Sequence, residues 1–211
     1  MLKRFTNVLV LAPHTDDGEL GCGGTISKFI ENGSNVYYIA FSTAEQSLQP
    51  GLHKNTLVAE VKNATALLGI RKEFLIIYRY EVRKLSFYRQ EVLEKLVEIK
   101  SKVDFDLVLL PSLNDIHQDH ITVAQEGLRA FKNTTILGYE LIWNNLSFNT
   151  TSFVRLEERH IENKVNSLRE YKSQNQRNYM SREFIYSLAR TRGVQIGADY
   201  AESFEVIRFV V

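Results

Sequence analysis

The first hydrophobic run, Val8-Leu-Val-Leu-Ala12, is short, rich in β-forming residues and free of polar alternation. Such a run suits a strand buried on both faces, as in a parallel sheet. Val36-Tyr-Tyr-Ile-Ala-Phe41, Phe74-Leu-Ile-Ile77, Leu107-Val-Leu-Leu110 and Thr135-Ile-Leu-Gly-Tyr139 repeat it, and Phe204 to Val211 predicts a late strand. Between these runs the period changes. Ile26, Phe29 and Ile30, then Leu57, Val61, Ala64 and Leu68, then Val92, Leu96 and Ile99 fall at helical spacing. Val123, Ala124, Leu128 and Phe131 continue the series, followed by Ile161, Val165, Leu168 and Tyr171, and by Phe184, Ile185 and Leu188. Asn32-Gly33 and Gly69 supply helix stops, and Gly21-Cys-Gly-Gly24 reads as a turn between the first strand and its helix. Strands alternating with helices predict an α/β fold, a mostly parallel sheet with helices on both faces.

Composition narrows this only a little. A chain of 211 residues with 44% hydrophobic and 24% charged residues has the makings of one globular domain, 1–211, with a sizeable core. No internal repeat, low-complexity segment or linker interrupts it. Lys plus Arg is 26 and Asp plus Glu is 25, so a net charge of +1 gives no pull toward nucleic acid or an anionic membrane. Cys22 is the only cysteine, which excludes an intrachain disulfide and a cysteine-rich metal site. The basic start, Met1 to Thr6, has the look of a signal-peptide n-region, but the apolar run after it is too short. No stretch approaches the roughly 20 apolar residues that span a bilayer. A cytoplasmic location is expected.

The chemistry concentrates in two loops. In a parallel α/β sheet, ligands bind beyond the carboxyl ends of the strands. The loop after the first strand reads Pro13-His14-Thr-Asp16-Asp17-Gly-Glu19, and the loop after the fourth reads Asn114-Asp115-Ile-His117-Gln-Asp119-His120. Three of the five histidines fall there. A catalytic zinc takes three N or O ligands and keeps one position open for water. His14, Asp17 and His120 meet that count. Asp16 is then left beside the metal as a general base, and His117 is left to donate a hydrogen bond as charge develops on a substrate oxygen. Either loop alone has an ordinary explanation, since paired Asp residues often only cap turns and helices. Both loops at strand ends in one chain favour a site. The glycines of Gly21 to Gly24 have a rival meaning as a phosphate cradle, but they lack the G-x-G-x-x-G spacing and follow three carboxylates.

His14-Thr-Asp16-Asp17-Gly-Glu19-Leu-Gly-Cys-Gly-Gly24-Thr25, followed about a hundred residues later by His117-Gln-Asp119-His120, resembles the LmbE-like (PIG-L) family of zinc-dependent de-N-acetylases. The resemblance extends through Glu60 to Gly69, Lys172-Ser-Gln174 and Tyr200-Ala-Glu-Ser-Phe-Glu205, essentially the whole chain. It implies a Rossmann-like three-layer α/β/α fold and removal of acetyl from an N-acetylglucosamine-type amine. It also implies zinc on His14, Asp17 and His120, with Asp16 as base and His117 assisting the tetrahedral intermediate. Fe2+ is the alternative native metal to Zn2+. Three positions depart from the family pattern. Thr15 stands where Pro or Ala is usual, Leu57 replaces an Arg that many members use on substrate, and Ala44-Glu45 stands in place of Gly-Glu.

Beyond the loops, Trp143 and Asn144 follow the fifth strand, where an aromatic and an amide are expected either to meet a sugar ring or to fill the core. Glu45 is a third substrate-binding candidate. His53 and His160 lie away from the motifs, with His160 expected on a solvated helix face. Cys22 is expected as a buried filler. The basic, aromatic segment 177–192 is expected to line the pocket toward an acidic or phosphorylated substrate. The expected partner is a small N-acetylated amino sugar or conjugate, with neither nucleic acid nor a membrane span, and with the homo-oligomers common among relatives. The rival readings are another metallohydrolase, acting on a phosphoester or other amide, and a non-catalytic sugar-nucleotide-binding protein.

Overall fold

The computed structural model describes residues 5–211, so Met1 to Arg4 of the basic start lie outside the described residues. In chain order the elements are β1 (Asn7–Ala12), α1 (Asp17–Glu31), β2 (Asn35–Ala40), α2 (Thr56–Leu67), β3 (Leu75–Ile77), α3 (Arg89–Lys102) and β4 (Leu107–Pro111). They continue with α4 (Gln118–Ala130), β5 (Thr135–Tyr139), β6 (Ser152–Leu156), α5 (Glu158–Leu168), α6 (Arg182–Val194) and β7 (Tyr200–Arg208). The strands form one sheet in the order β3-β2-β1-β4-β5-β7-β6. β3 through β5 run parallel, β7 is antiparallel to β5, and β6 is antiparallel to β7.

The unalternating strands are apolar because both sheet faces are covered. Along β1, Val8, Val10 and Ala12 pack with Ile26 of α1, Val61 of α2 and Val165 of α5. Leu9 and Leu11 pack instead with Val92 and Leu96 of α3 and Val123 of α4. This is the three-layer α/β/α arrangement that the sequence predicts. The chain moves outward from β1 to β3, then returns to place β4 on the other side of β1. The carboxyl ends of β1 and β4 therefore flank the point where strand order reverses, and a crevice opens there.

The structure corrects three expectations about elements. Gly21 to Gly24 is not a turn, because α1 begins at Asp17 and continues through it with a break at Cys22 (φ −148°, ψ 25°). An unbroken helix would bond the Gly24 N–H to the Leu20 carbonyl. Here Lys164 Nζ donates to that carbonyl at 2.7 Å, while Gly24 and Thr25 N–H donate to the two Glu202 carboxylate oxygens at 3.0 and 2.7 Å. Lys164 and Glu202 form a buried ion pair at 2.7 Å, so one pair satisfies both sides of the break. Gly21 is required because a Cβ there would lie 2.3 Å from the Tyr139 ring. β6 was not anticipated. An edge strand of five residues containing Ser152 and Arg155 carries little pattern to distinguish it from loop. Finally, β7 starts at Tyr200 rather than Phe204, because Tyr200 to Ser203 pair with β6.

Candidate metal centre and active-site cleft

The two chemical loops meet where β1 and β4 end side by side. β1 delivers His14 and Thr15, Asp16 caps α1, and Asp17 is the first residue of that helix. β4 delivers Asp115, His117 caps α4, and Asp119 and His120 lie in its first turn. His117 fits the cap position because its Nδ1 accepts the Asp119 N–H at 3.2 Å, which satisfies a donor that the helix start leaves open.

Three donor atoms converge. Asp17 Oδ2 lies 3.0 Å from His14 Nδ1 and 3.2 Å from His120 Nε2, and the two imidazole nitrogens are 3.2 Å apart. Ligands about 2.0–2.2 Å from a tetrahedral ion stand about this far from one another. His14, His117 and His120 also form a cluster whose ligating atoms all lie within 4.8 Å, so a three-histidine site able to hold a metal ion is present.

The second nitrogen of each ring distinguishes the histidines. His14 Nε2 faces Asp119 Oδ2 at 3.0 Å, and His120 Nδ1 faces Asp115 Oδ2 at 2.7 Å. A proton on each of those nitrogens leaves the opposite one, in the donor triangle, with a free lone pair, and buried carboxylates commonly orient ligating histidines in this way. Asp119 is fully buried and also accepts the backbone N–H groups of Arg83 and Leu85. The Nδ1 of His117 already accepts a hydrogen bond. In its neutral form its proton must then sit on Nε2, which makes that nitrogen a donor rather than a ligand.

The electrostatics follow from burial and neighbours. Burial pushes His14 down, but the Asp17 charge and hydrogen bonds to Asp119 and Asp17 raise it to about 9. Burial likewise opposes His120, yet Asp17 and Asp115 lift it to about 10. Burial pushes Asp17 up, while His120 and His14 prevail and hold it well below the usual carboxylate range. Burial, then the Asp17 charge, raises Asp16 to about 6, and the charges of His14 and Arg177 pull downward but do not prevail. Burial, then the charges of His120 and His14, pushes His117 down to about 4, so it is neutral near pH 7. Without a metal, His14 and His120 each carry a second ring proton near neutral pH, and a divalent cation binding there would have to displace one proton from each ring.

The centre forms the floor of a cleft of about 390 Å³. Its walls include Leu57, Arg83, Trp143, Asn144, Gln174 and Arg177. Trp143 is no core filler, since it stacks on Tyr179 at 4.0 Å and 9° and keeps 36% exposure. Glu45 is held elsewhere by Arg79 and the Thr43 hydroxyl, and Ala44 and Ser47 face the cleft from that turn. Cys22 is buried, as expected of a filler. His160 is a correction. It is 1% exposed, because as the third residue of α5 it folds back to accept the Glu157 N–H at 2.9 Å and meets Glu31 at 2.6 Å. His53 stays exposed, away from the cleft, its Nδ1 accepting the Asn55 N–H.

Sequence reasoning named the loop-two carboxylates but gave Asp115 and Asp119 no role. The usable signal was their position, five residues and one residue before His120. Arg83 carried no signal, since it lies in an irregular stretch before α3. Gln174 is placed through Ser173, whose N–H and hydroxyl both donate to the buried Glu60 carboxylate at 2.9 and 2.7 Å.

One sheet covered by helices on both faces, with a histidine cluster at its strand-order reversal, is a Rossmann-like α/β/α architecture with a candidate metal site. The family model described as PIG-L, GlcNAc-PI de-N-acetylase, matches residues 9–131, more than half of the chain, and the protein belongs to that family. An Escherichia coli (strain K12) protein described as the uncharacterized deacetylase YaiS is 25% identical over 170 residues, covering 79% of this chain and 90% of that one. The diacetylchitobiose deacetylase of Thermococcus kodakarensis is 28% identical over 137 residues, which is 58% of this chain and 48% of that protein. The structure of N,N'-diacetylchitobiose deacetylase from Pyrococcus horikoshii superposes with a TM-score of 0.81 at 22% identity, covering 96% of this chain and 84% of that one. That likeness establishes the fold. No described helix is long and apolar enough to cross a membrane.

Proposed function

We propose that the protein is a zinc-dependent hydrolase that removes the acetyl group from an N-acetylated amino sugar or its conjugate, acting in the cytoplasm. The observation that carries this reading is the donor triangle of His14, Asp17 and His120, with edges of 3.0 to 3.2 Å and Asp16 beside it. Family membership and the deacetylase relatives supply the reaction class. His14 Nδ1, Asp17 Oδ2 and His120 Nε2 would hold the ion, and Zn2+ suits that N/O set, as Fe2+ does. When bound, the ion polarises the acetamide carbonyl and lowers the pKa of water at the open position.

The remaining steps belong to side chains. Asp16 takes a proton from the attacking water, and its raised pKa makes it a stronger base than an exposed carboxylate. His117, neutral and carrying its proton on Nε2, donates to the carbonyl oxygen as that atom gains charge. Asp16 or His117 then returns a proton to the leaving amine. Trp143 and Asn144 line the cleft where a sugar ring can stack and bond. The sugar-nucleotide-binding alternative is weaker because the glycine-rich stretch offers no free cradle. The Gly24 and Thr25 N–H groups are already taken by Glu202.

The test is acetate release from a panel of N-acetylated sugars and sugar conjugates by wild type, Asp16→Asn and His120→Ala. Equimolar acetate and free amine from wild type alone supports the reading. Inorganic phosphate from phosphorylated members, without acetate, would move the site to phosphoester chemistry.

A further inference from the structure

Several arginines elsewhere on the surface meet carboxylates: Arg79 meets Glu45, Arg89 and Arg129 meet Glu126, and Arg182 meets Glu162. The two arginines that line the cleft do not. Among the described residues no ion pair or hydrogen bond ties the Arg83 guanidinium, and Arg177 donates to the Tyr179 hydroxyl. Both side chains are exposed at the mouth rather than buried in the floor.

The backbone at Arg83 is unusual. Its φ of 67° lies in the left-handed region, which is unfavourable for a residue with a Cβ and favours Gly or Asn. The turn is nonetheless fixed. The Arg83 N–H donates to Asp119 Oδ2 at 2.6 Å, and its carbonyl accepts from Gln118 Nε2 at 3.0 Å. Asp119 is the carboxylate that orients His14. The base of the Arg83 side chain is therefore tied to the histidine loops themselves. Strained backbone retained beside a site is a pointer to function.

Arg177 stands on another wall, three residues beyond Gln174, in the stretch that Glu60 anchors through Ser173. The carboxylates whose charge it feels are Asp16 and Asp17 on the floor. A guanidinium presents paired donors that match phosphate and carboxylate oxygens, and a cleft with low-dielectric walls strengthens that attraction.

We propose that Arg83 and Arg177 select an amino-sugar substrate that carries an anionic substituent, a phosphate or carboxylate, seated at the cleft mouth. This rests on the deacetylase reading for the sugar itself. The anion engages the two guanidiniums while the acetamide reaches the floor.

The test measures binding of N-acetylglucosamine 1-phosphate, a carboxylate-bearing N-acetylglucosaminide and the neutral methyl N-acetylglucosaminide to metal-loaded protein. It uses the Asp16→Asn background, alone and with Arg83→Gln, Arg177→Gln or both. The expected result is at least ~10-fold tighter binding of one anionic sugar than of the methyl glycoside, a ratio weakened by salt. Each single arginine variant lowers the ratio, and the double variant brings it near one. The anionic sugar with the larger ratio identifies phosphate or carboxylate. Equal binding of all three sugars, or no binding of either anionic one, overturns the proposal. A ratio that survives in the double variant places the anion on the metal and also overturns it. Absence of acetate release by wild type across the panel would instead count against the deacetylase reading and leaves the binding ratio readable.

Discussion

On the floor of the cleft each imidazole is committed to a partner: His14 to Asp119, His120 to Asp115, and His117 to the Asp119 backbone N–H. On the rim, Arg83 and Arg177 project from irregular segments, and Trp143 rests on Tyr179 with one face toward the cleft. The floor is fixed because ligand and proton positions must hold to a fraction of an ångström, and buried polar partners fix them. The rim sits on loops, where side chains change without disturbing the sheet. A family can therefore keep one reaction while its members exchange substrates.

Substitutions on the floor should have the largest effects. Asp16→Asn should lower kcat by about 10²–10⁴-fold while leaving bound metal in place. Steady-state rates alongside elemental analysis would check both halves, and loss of metal in this variant would make Asp16 a ligand rather than a base. One layer out, Asp115→Asn and Asp119→Asn should each weaken metal affinity by about 10–100-fold, measured by competition with a chelator. Affinity equal to wild type in both variants would mean that the carboxylates do not set the tautomers.

The broken helix that carries Asp16 and Asp17 offers a test through stability. Glu202→Ala would leave Lys164 buried without its partner and free the Gly24 and Thr25 N–H groups, at a cost of about 3–5 kcal/mol in denaturant unfolding. A change below about 1 kcal/mol would show that the ion pair is not what holds the break. The effect of pH is read on the wild-type chain. In the metal-free protein His14 and His120 keep their protons up to about 9 and about 10, and an ion needs both lone pairs. Metal affinity should fall as pH falls through neutrality, with about two protons released per ion bound. Calorimetry in buffers of different ionisation enthalpy reads that number, and a value near zero would rule out displacement from these histidines.

Much of the floor was legible in the sequence because its signals are local. Two short loops after two apolar runs carried His14, Asp16, Asp17, His117 and His120, and β1 and β4 prove to be neighbours in the sheet. The roles of Asp115 and Asp119 needed three-dimensional pairing, since each carboxylate is identified by the ring nitrogen it meets. The glycines of α1 misled in the same way. Their meaning depends on Lys164 and Glu202, from elements more than a hundred residues away. His160 looked solvated because its neighbours are charged, and only the fold-back onto Glu157 and Glu31 buries it. On the rim, Arg83 had no pattern to announce it, because a left-handed arginine is set by tertiary contacts rather than by local sequence.

The central claim is that hydrogen-bond partners divide three neighbouring histidines into two ligands and one donor, with Asp17 as the third ligand. Metal content of the purified protein after zinc loading tests it most directly, in wild type, Asp17→Ala, His120→Ala and His117→Ala. The account predicts about one ion per chain in wild type and His117→Ala, and loss of the ion in Asp17→Ala and His120→Ala. An ion retained in Asp17→Ala and lost in His117→Ala would contradict it and make the centre a three-histidine site.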